Sequence, residues 1–188
     1  EFTQKDYWHA IKTIVRRVET PNGIIKIDDT IEEKPHSTEN DIVCWHYDHT
    51  TGQTIKGINI LNFVYQPHPS SASKFSLPVA FEIIEKKEQY YDVKTKKVKR
   101  RSEKGKNELV RHRLRVLHHY NKVQFQIVLW DSWYSSVENF EFVHRELKKT
   151  FIGAIKSNRK IALTSQDKQK GKFIKVSELE WHEAQSRI

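Results

Sequence analysis

A chain of 188 residues, 37% hydrophobic and 30% charged, is long enough for one substantial core, is not disordered by composition, and has no apolar run near the roughly 18 residues of a membrane span. Lysine and arginine outnumber the acids 33 to 24, a formal charge of +9, which suits a polyanionic partner such as nucleic acid. The single cysteine, Cys44, excludes an internal disulfide framework or a cysteine-rich zinc site and favours a reducing, cytoplasmic setting.

The segment from Glu1 to Lys12 is polar and mixed in charge, unlike a signal peptide, and the lack of methionine leads us to expect a sequence that begins inside a longer protein or has been trimmed. Tyr7, Ile11, Ile14, Val15 and Val18 recur at helical spacing behind Asp6 and predict an amphipathic helix over 6–19, stopped by Pro21-Asn22-Gly23. Gly23 to Ile27 is short and β-branched, a buried strand ending in Asp28-Asp29-Thr30. Strands over 41–46 and 58–65 are expected to form a hairpin around a turn at 49–53, a Pro/Ser-rich loop follows over 66–74, and 77–84 reads as a further strand. The basic run over 94–106 predicts an exposed, mobile loop. A helix over 107–120 places Val110, Leu114, Leu117 and Tyr120 on one face, and the apolar run 123–130 is a strand ending in Asp131. Ser135 and Glu138 resemble a capping box for a helix with Val137, Phe140, Val143 and Leu147 on its apolar face. A strand over 151–155 follows, then two short strands (160–164 and 172–176) around a Lys/Gln turn.

Meandering strands followed by alternating strand and helix predict an α/β fold, a mixed sheet covered by helices on both faces. Right-handed crossover sets the 123–130 strand parallel to and beside the 23–27 strand, the strand plan of the ribonuclease H-like fold. Asp28 and Asp131 then meet at one edge of the sheet. Two carboxylates there repel unless a cation lies between them, and Mg²⁺ held by one or two carboxylates, water and phosphate is the usual solution in phosphodiester chemistry. The alternative is that each aspartate caps a turn at a strand end.

The segments Ile24-Ile25-Lys26-Ile27-Asp28-Asp29-Thr30, Cys44-Trp45-His46-Tyr47-Asp48-His49, Ile127 to Ser136 and Phe151 to Lys160, in that order, resemble bacterial insertion-sequence transposases of the DDE type, in the branch with a Tyr-Arg-Glu-Lys signature. The resemblance spans about Asp6 to Val176. It implies a ribonuclease H-like fold, a Mg²⁺ or Mn²⁺ site of two aspartates and one glutamate, and strand transfer on double-stranded DNA at transposon ends and target. It also implies a bacterial, nucleoid-associated setting and leaves room for a homodimer of the intact protein. The family pattern Asp-x-Ser/Thr selects Asp28 over Asp29, and Asp131 is the second metal-holding, catalytic aspartate. No Tyr-x-x-Arg-x-x-x-Glu pattern follows Asp131; Glu178, Glu180 and Glu183 are the late acids. The fold is therefore expected to be incomplete at its C-terminus, with 1–160 as the catalytic core and 161–188 opening an inserted β region. A catalytically dead DNA-binding remnant and a metal-dependent nuclease of the same fold are the competing readings.

Within the basic run, Lys97, Lys99, Arg100 and Arg101 are candidate phosphate-binding residues, or else a solvated surface. Lys156 and Arg159, beyond a strand end near the aspartates, are candidates for the same role. His46, His49, His118 and His119 lack cysteine partners and zinc-ligand spacing, and Trp130 and Trp133 are read as packing residues.

Overall fold

The computed structural model describes residues 3–48, 51–68 and 75–179. Helix α1 (Gln4–Val18) starts where the Thr3 side chain accepts the Asp6 N–H and the Asp6 carboxylate accepts the Thr3 N–H, a reciprocal cap. Strands β1 (Ile24–Glu33), β2 (Cys44–Asp48), β3 (Gln53–Gln66) and β4 (Leu77–Ile83) are antiparallel neighbours. Strands β5 (Glu88–Asp92) and β6 (Lys97–Arg101) pair apart from them as a hairpin. Helix α2 (Lys106–Arg115) runs on through a π-helical turn at Val116–Tyr120 into β7 (Ile127–Trp130). Helix α3 (Val137–Glu141) likewise continues through a π-helical turn at Phe142–Glu146, and β8 (Thr150–Gly153) follows. A short antiparallel pair, β9 (Lys160–Ile161) and β10 (Ile174–Lys175), brackets α4 (Ser165–Gln169).

The main sheet runs β2-β3-β1-β7-β8, with β4 on the β3 edge that β2 also uses. β1 is parallel to β7, and β7 to β8, so the sheet is mixed and flanked by helices, the ribonuclease H-like arrangement. Alternation turns Ile25, Ile27, Leu61, Phe63, Tyr65 and Val128 to one buried face, where they join Val15 of α1 and Val110, Leu114 and Leu117 of the α2 segment in one core. Each such side chain contributes roughly 1.5–3 kcal/mol by leaving water. At Gly57 a Cβ would stand 2.3 Å from the Glu32 carbonyl oxygen, so the close approach of β3 to the far end of β1 requires glycine. Among the described residues no helix is long and apolar enough to cross a membrane.

The basic run is not a loop: Lys97–Arg101 is a strand paired with Glu88–Asp92, and the turn between them is held by the Asp92 carboxylate, which accepts the Lys94 N–H at 3.0 Å. Glu88 and Asp92 on the partner strand face the basic residues and pair with them, which lets so charged a segment form a strand. β1 extends to Glu33 because β3 pairs with it throughout, whereas β7 stops opposite Ile27. β2 begins at Cys44 because the Asn40 side chain accepts the N–H groups of Ile42 and Val43 and holds them in a turn. Ser136, not Ser135, caps α3, accepting the Asn139 N–H; the Ser135 hydroxyl donates instead to the Ala154 carbonyl at 2.7 Å. Tyr120 and Val137 are exposed rather than on their predicted faces. Tyr120 closes a π turn, whose wider winding rotates it off the stripe that holds Leu114 and Leu117. The expected turn between the two last strands is the one-turn helix α4.

Candidate active site

The parallel register of β1 and β7 pairs Ile24 with Ile127 and ends with Ile27 opposite Trp130. Ile27 and Trp130 turn into the core, so the next residues, Asp28 and Asp131, turn to the opposite face together. Both line a cleft of about 360 Å³ whose wall includes Thr30, Tyr47 and Trp133. The Asp28 carboxylate accepts the Asp29 N–H at 2.9 Å, and the Asp131 carboxylate accepts the Trp133 N–H at 2.8 Å, which fixes its direction. Burial pushes the Asp28 pKa above the ordinary aspartate value, and the nearby charges of Asp29 and Asp131 push the same way against the backbone hydrogen bond. Like charge gathered at one cleft is what a divalent cation relieves.

Asp29 points the other way and is heavily tied. Its carboxylate accepts the Lys106 ammonium at 2.6 Å, the Asn59 amide at 3.1 Å and the Tyr134 hydroxyl. Burial raises its pKa, but hydrogen bonds from Lys106 and Tyr134 and the charge of Lys106 outweigh burial and hold it below the ordinary value. Burial and the acceptor Asp29 push the Tyr134 phenol far upward, so the hydroxyl stays protonated and donating. One carboxylate thus joins β1, β3, the start of α2 and the turn after Asp131. Sequence reading missed Asn59 and Tyr134, and counted Lys106 only as one more member of the basic run.

The cations fall in two places. The Lys156 ammonium sits 3.6 Å from the Trp133 ring centroid, at the rim of the aspartate cleft, while Arg159 lies past the following turn, bonded through its backbone to Lys156 and Val176. On the hairpin, Lys99 pairs with Asp92, Arg100 with Asp41 and Glu39, and Arg101 with Glu88; Lys97 lies opposite Asp92 in the strand register. The exposed pairs of Lys99 and Arg101 contribute little to stability, whereas Arg100, 18% exposed, is the more firmly held of the three.

Among the described residues no group of three His, Cys, Asp or Glu is arranged to hold a metal ion, so Glu178 does not join Asp28 and Asp131. Glu180, Glu183 and His49 lie outside the described residues. His46 is buried with its Nε2 3.3 Å from the Cys44 sulfur, and burial with the charge of Lys86 lowers its pKa to about 4, leaving it neutral. His118 packs edge-on against Phe125 and His119. Trp130 is a packing residue, stacked on Phe140 and Phe151, whereas half-exposed Trp133 faces the cleft.

The chain matches the family model of the DDE superfamily endonuclease over residues 9–172. No curated protein and no solved structure matches it. The matched stretch holds Asp28, Asp131 and every strand of the main sheet. The chain belongs to the DDE superfamily endonuclease family, whose substrate is DNA.

Proposed function

We propose that this chain carries the first two metal-holding carboxylates of a bacterial insertion-sequence transposase, in the branch whose third carboxylate is the Glu of a Tyr-x-x-Arg-x-x-x-Glu pattern. The observation that carries the reading is the β1–β7 register, which brings Asp28 and Asp131 out side by side at one cleft. Their oxygens are hard donors beside space for water and phosphate, which suits Mg²⁺ or Mn²⁺. When bound, such an ion polarises the phosphate and eases deprotonation of the attacking oxygen. In the reaction, water and later a freed 3′-hydroxyl attack phosphorus; the new P–O bond forms as the bond to the leaving 3′ oxygen breaks, and that oxygen takes up a proton.

The chain's own residues hold and orient. The Trp133 N–H aims the Asp131 carboxylate, and the ties of Asp29 to Lys106 and Tyr134 keep the two strand ends in register. Lys156 and Arg159 meet phosphates next to the cleft, and Lys97, Lys99, Arg100 and Arg101 meet the backbone of the same duplex further out. In this reading residues 1–160 are the catalytic core and 161–188 open an inserted β region. The intact protein works as a homodimer on transposon ends and target DNA in the bacterial nucleoid.

The test is strand cleavage on a transposon-end duplex in Mg²⁺ or Mn²⁺. A polypeptide that includes a downstream Tyr/Arg/Glu/Lys helix should nick it and should lose that activity on Asp28→Ala or Asp131→Ala. The 188-residue chain alone should not nick it. Cleavage by that chain that is lost on Glu178→Ala, Glu180→Ala or Glu183→Ala would relocate the third ligand. Cleavage that survives Asp28→Ala would end the reading.

A further inference from the structure

A second, larger groove of about 800 Å³ lies between β2 and the β5–β6 hairpin. Its character differs from that of the aspartate cleft. β2 turns Cys44 and His46 inward and Trp45 and Tyr47 outward, 51% and 55% exposed, and β5 adds Tyr90, 41% exposed. Cations stand among the rings: the Lys56 ammonium lies 6.0 Å from the Trp45 ring centroid and the Arg101 guanidinium 5.8 Å from that of Tyr90. Lys86, whose ammonium donates to the Trp45 carbonyl at 2.6 Å, and Lys97 line the wall itself, and Lys56 stands beside it over Trp45. Large aromatic rings this exposed, standing beside cations, are poorly explained by duplex binding, because paired bases show the protein only their edges and their phosphates need no ring. They fit a single strand, whose unpaired bases stack on aromatic faces while cations follow the backbone. Outward positions on one strand lie roughly 7 Å apart, so Trp45 and Tyr47 can each take a separate base. Tyr47 lines this groove and the aspartate cleft alike, so the two adjoin at that residue.

We propose that this groove binds unpaired DNA, the single-stranded segment that leaves the aspartate cleft, with Trp45, Tyr47 and Tyr90 as stacking platforms and Lys56, Lys86 and Lys97 along its phosphates. The inference rests on the strand-cutting reading and names a part of its substrate. It is tested by fluorescence anisotropy in EDTA, where cleavage plays no part, with a blunt duplex and with the same duplex carrying a short unpaired extension on either strand. One of the extended duplexes should bind about tenfold more tightly than the blunt one, the size of one base-stacking interaction. Trp45→Ala and Tyr90→Ala should each bring that ratio towards one, with circular dichroism showing the fold retained; Tyr120→Ala, at an exposed ring outside the groove, should leave the ratio as it was. Equal affinity for blunt and extended DNA, affinity for neither, or a preference that survives both groove substitutions overturns the inference. Failure of the strand-cutting reading registers separately, in the metal-dependent nicking assay.

Discussion

Removing the Tyr134 hydroxyl tests whether Asp29 is the tie that holds the two strand ends together. In Tyr134→Phe the ring still fills its buried site, and only the donor to the Asp29 carboxylate is removed. A hydrogen bond to a charged group contributes about 1.5–3 kcal/mol, and Asp29 keeps Lys106 and Asn59, so the cost should fall within that range. For a chain of this size that is a fall in Tm of about 3–12 °C. Urea denaturation of Tyr134→Phe, Asp29→Asn and the double variant apportions the effect, because the Tyr134 substitution should cost much less once Asp29 is already neutral. The pH dependence has a definite sign. Asp29 has its pKa lowered in the fold, so the stability it contributes is present above the ordinary aspartate value and is lost as pH falls through the lowered one. The Tyr134→Phe penalty should therefore shrink on acidification. An equal penalty with aspartate and asparagine at position 29, or one that grows as pH falls, would refute the tie.

Other substitutions probe other levels of the structure. Leu114→Ala, in the core beneath the sheet, should cost about 2–5 kcal/mol in urea denaturation. Ser136→Ala should cost about 0.5–2 kcal/mol by removing the cap of α3, a loss visible in the same measurement. Neutralising Lys97, Lys99, Arg100 and Arg101 together should flatten the salt dependence of duplex binding, by roughly 0.9 in log–log slope for each phosphate they no longer neutralise. An unchanged slope would mean that their partners Asp92, Asp41 and Glu88 keep them occupied.

The sequence made the main sheet and its two aspartates legible because the signals are local. Ile24 to Ile27 and Ile127 to Trp130 are short β-branched or aromatic runs, each closing on an acid, and crossover handedness sets them side by side. The ties of Asp29 were hidden because they join residues 30, 77 and 105 positions apart, which no periodicity reports. The β5–β6 hairpin was hidden for a different reason. Its one apolar residue, Val98, stands exposed among lysines and arginines, so no hydrophobic alternation marks a strand, and its compensating acids lie on the preceding strand. The shift of the α3 cap from Ser135 to Ser136 came from competition between two adjacent hydroxyls, decided by the Ala154 carbonyl on a segment 19 residues away.

Whether Asp28 and Asp131 together hold a divalent ion can be read from paramagnetic broadening of amide resonances during Mn²⁺ titration, which detects even weak binding. Resonances of Asp28 to Thr30 and of Trp130 to Trp133 should broaden first, and either Asp28→Asn or Asp131→Asn should remove the effect at both segments. Broadening centred elsewhere, or broadening at one segment that survives substitution at the other, would contradict a shared ion.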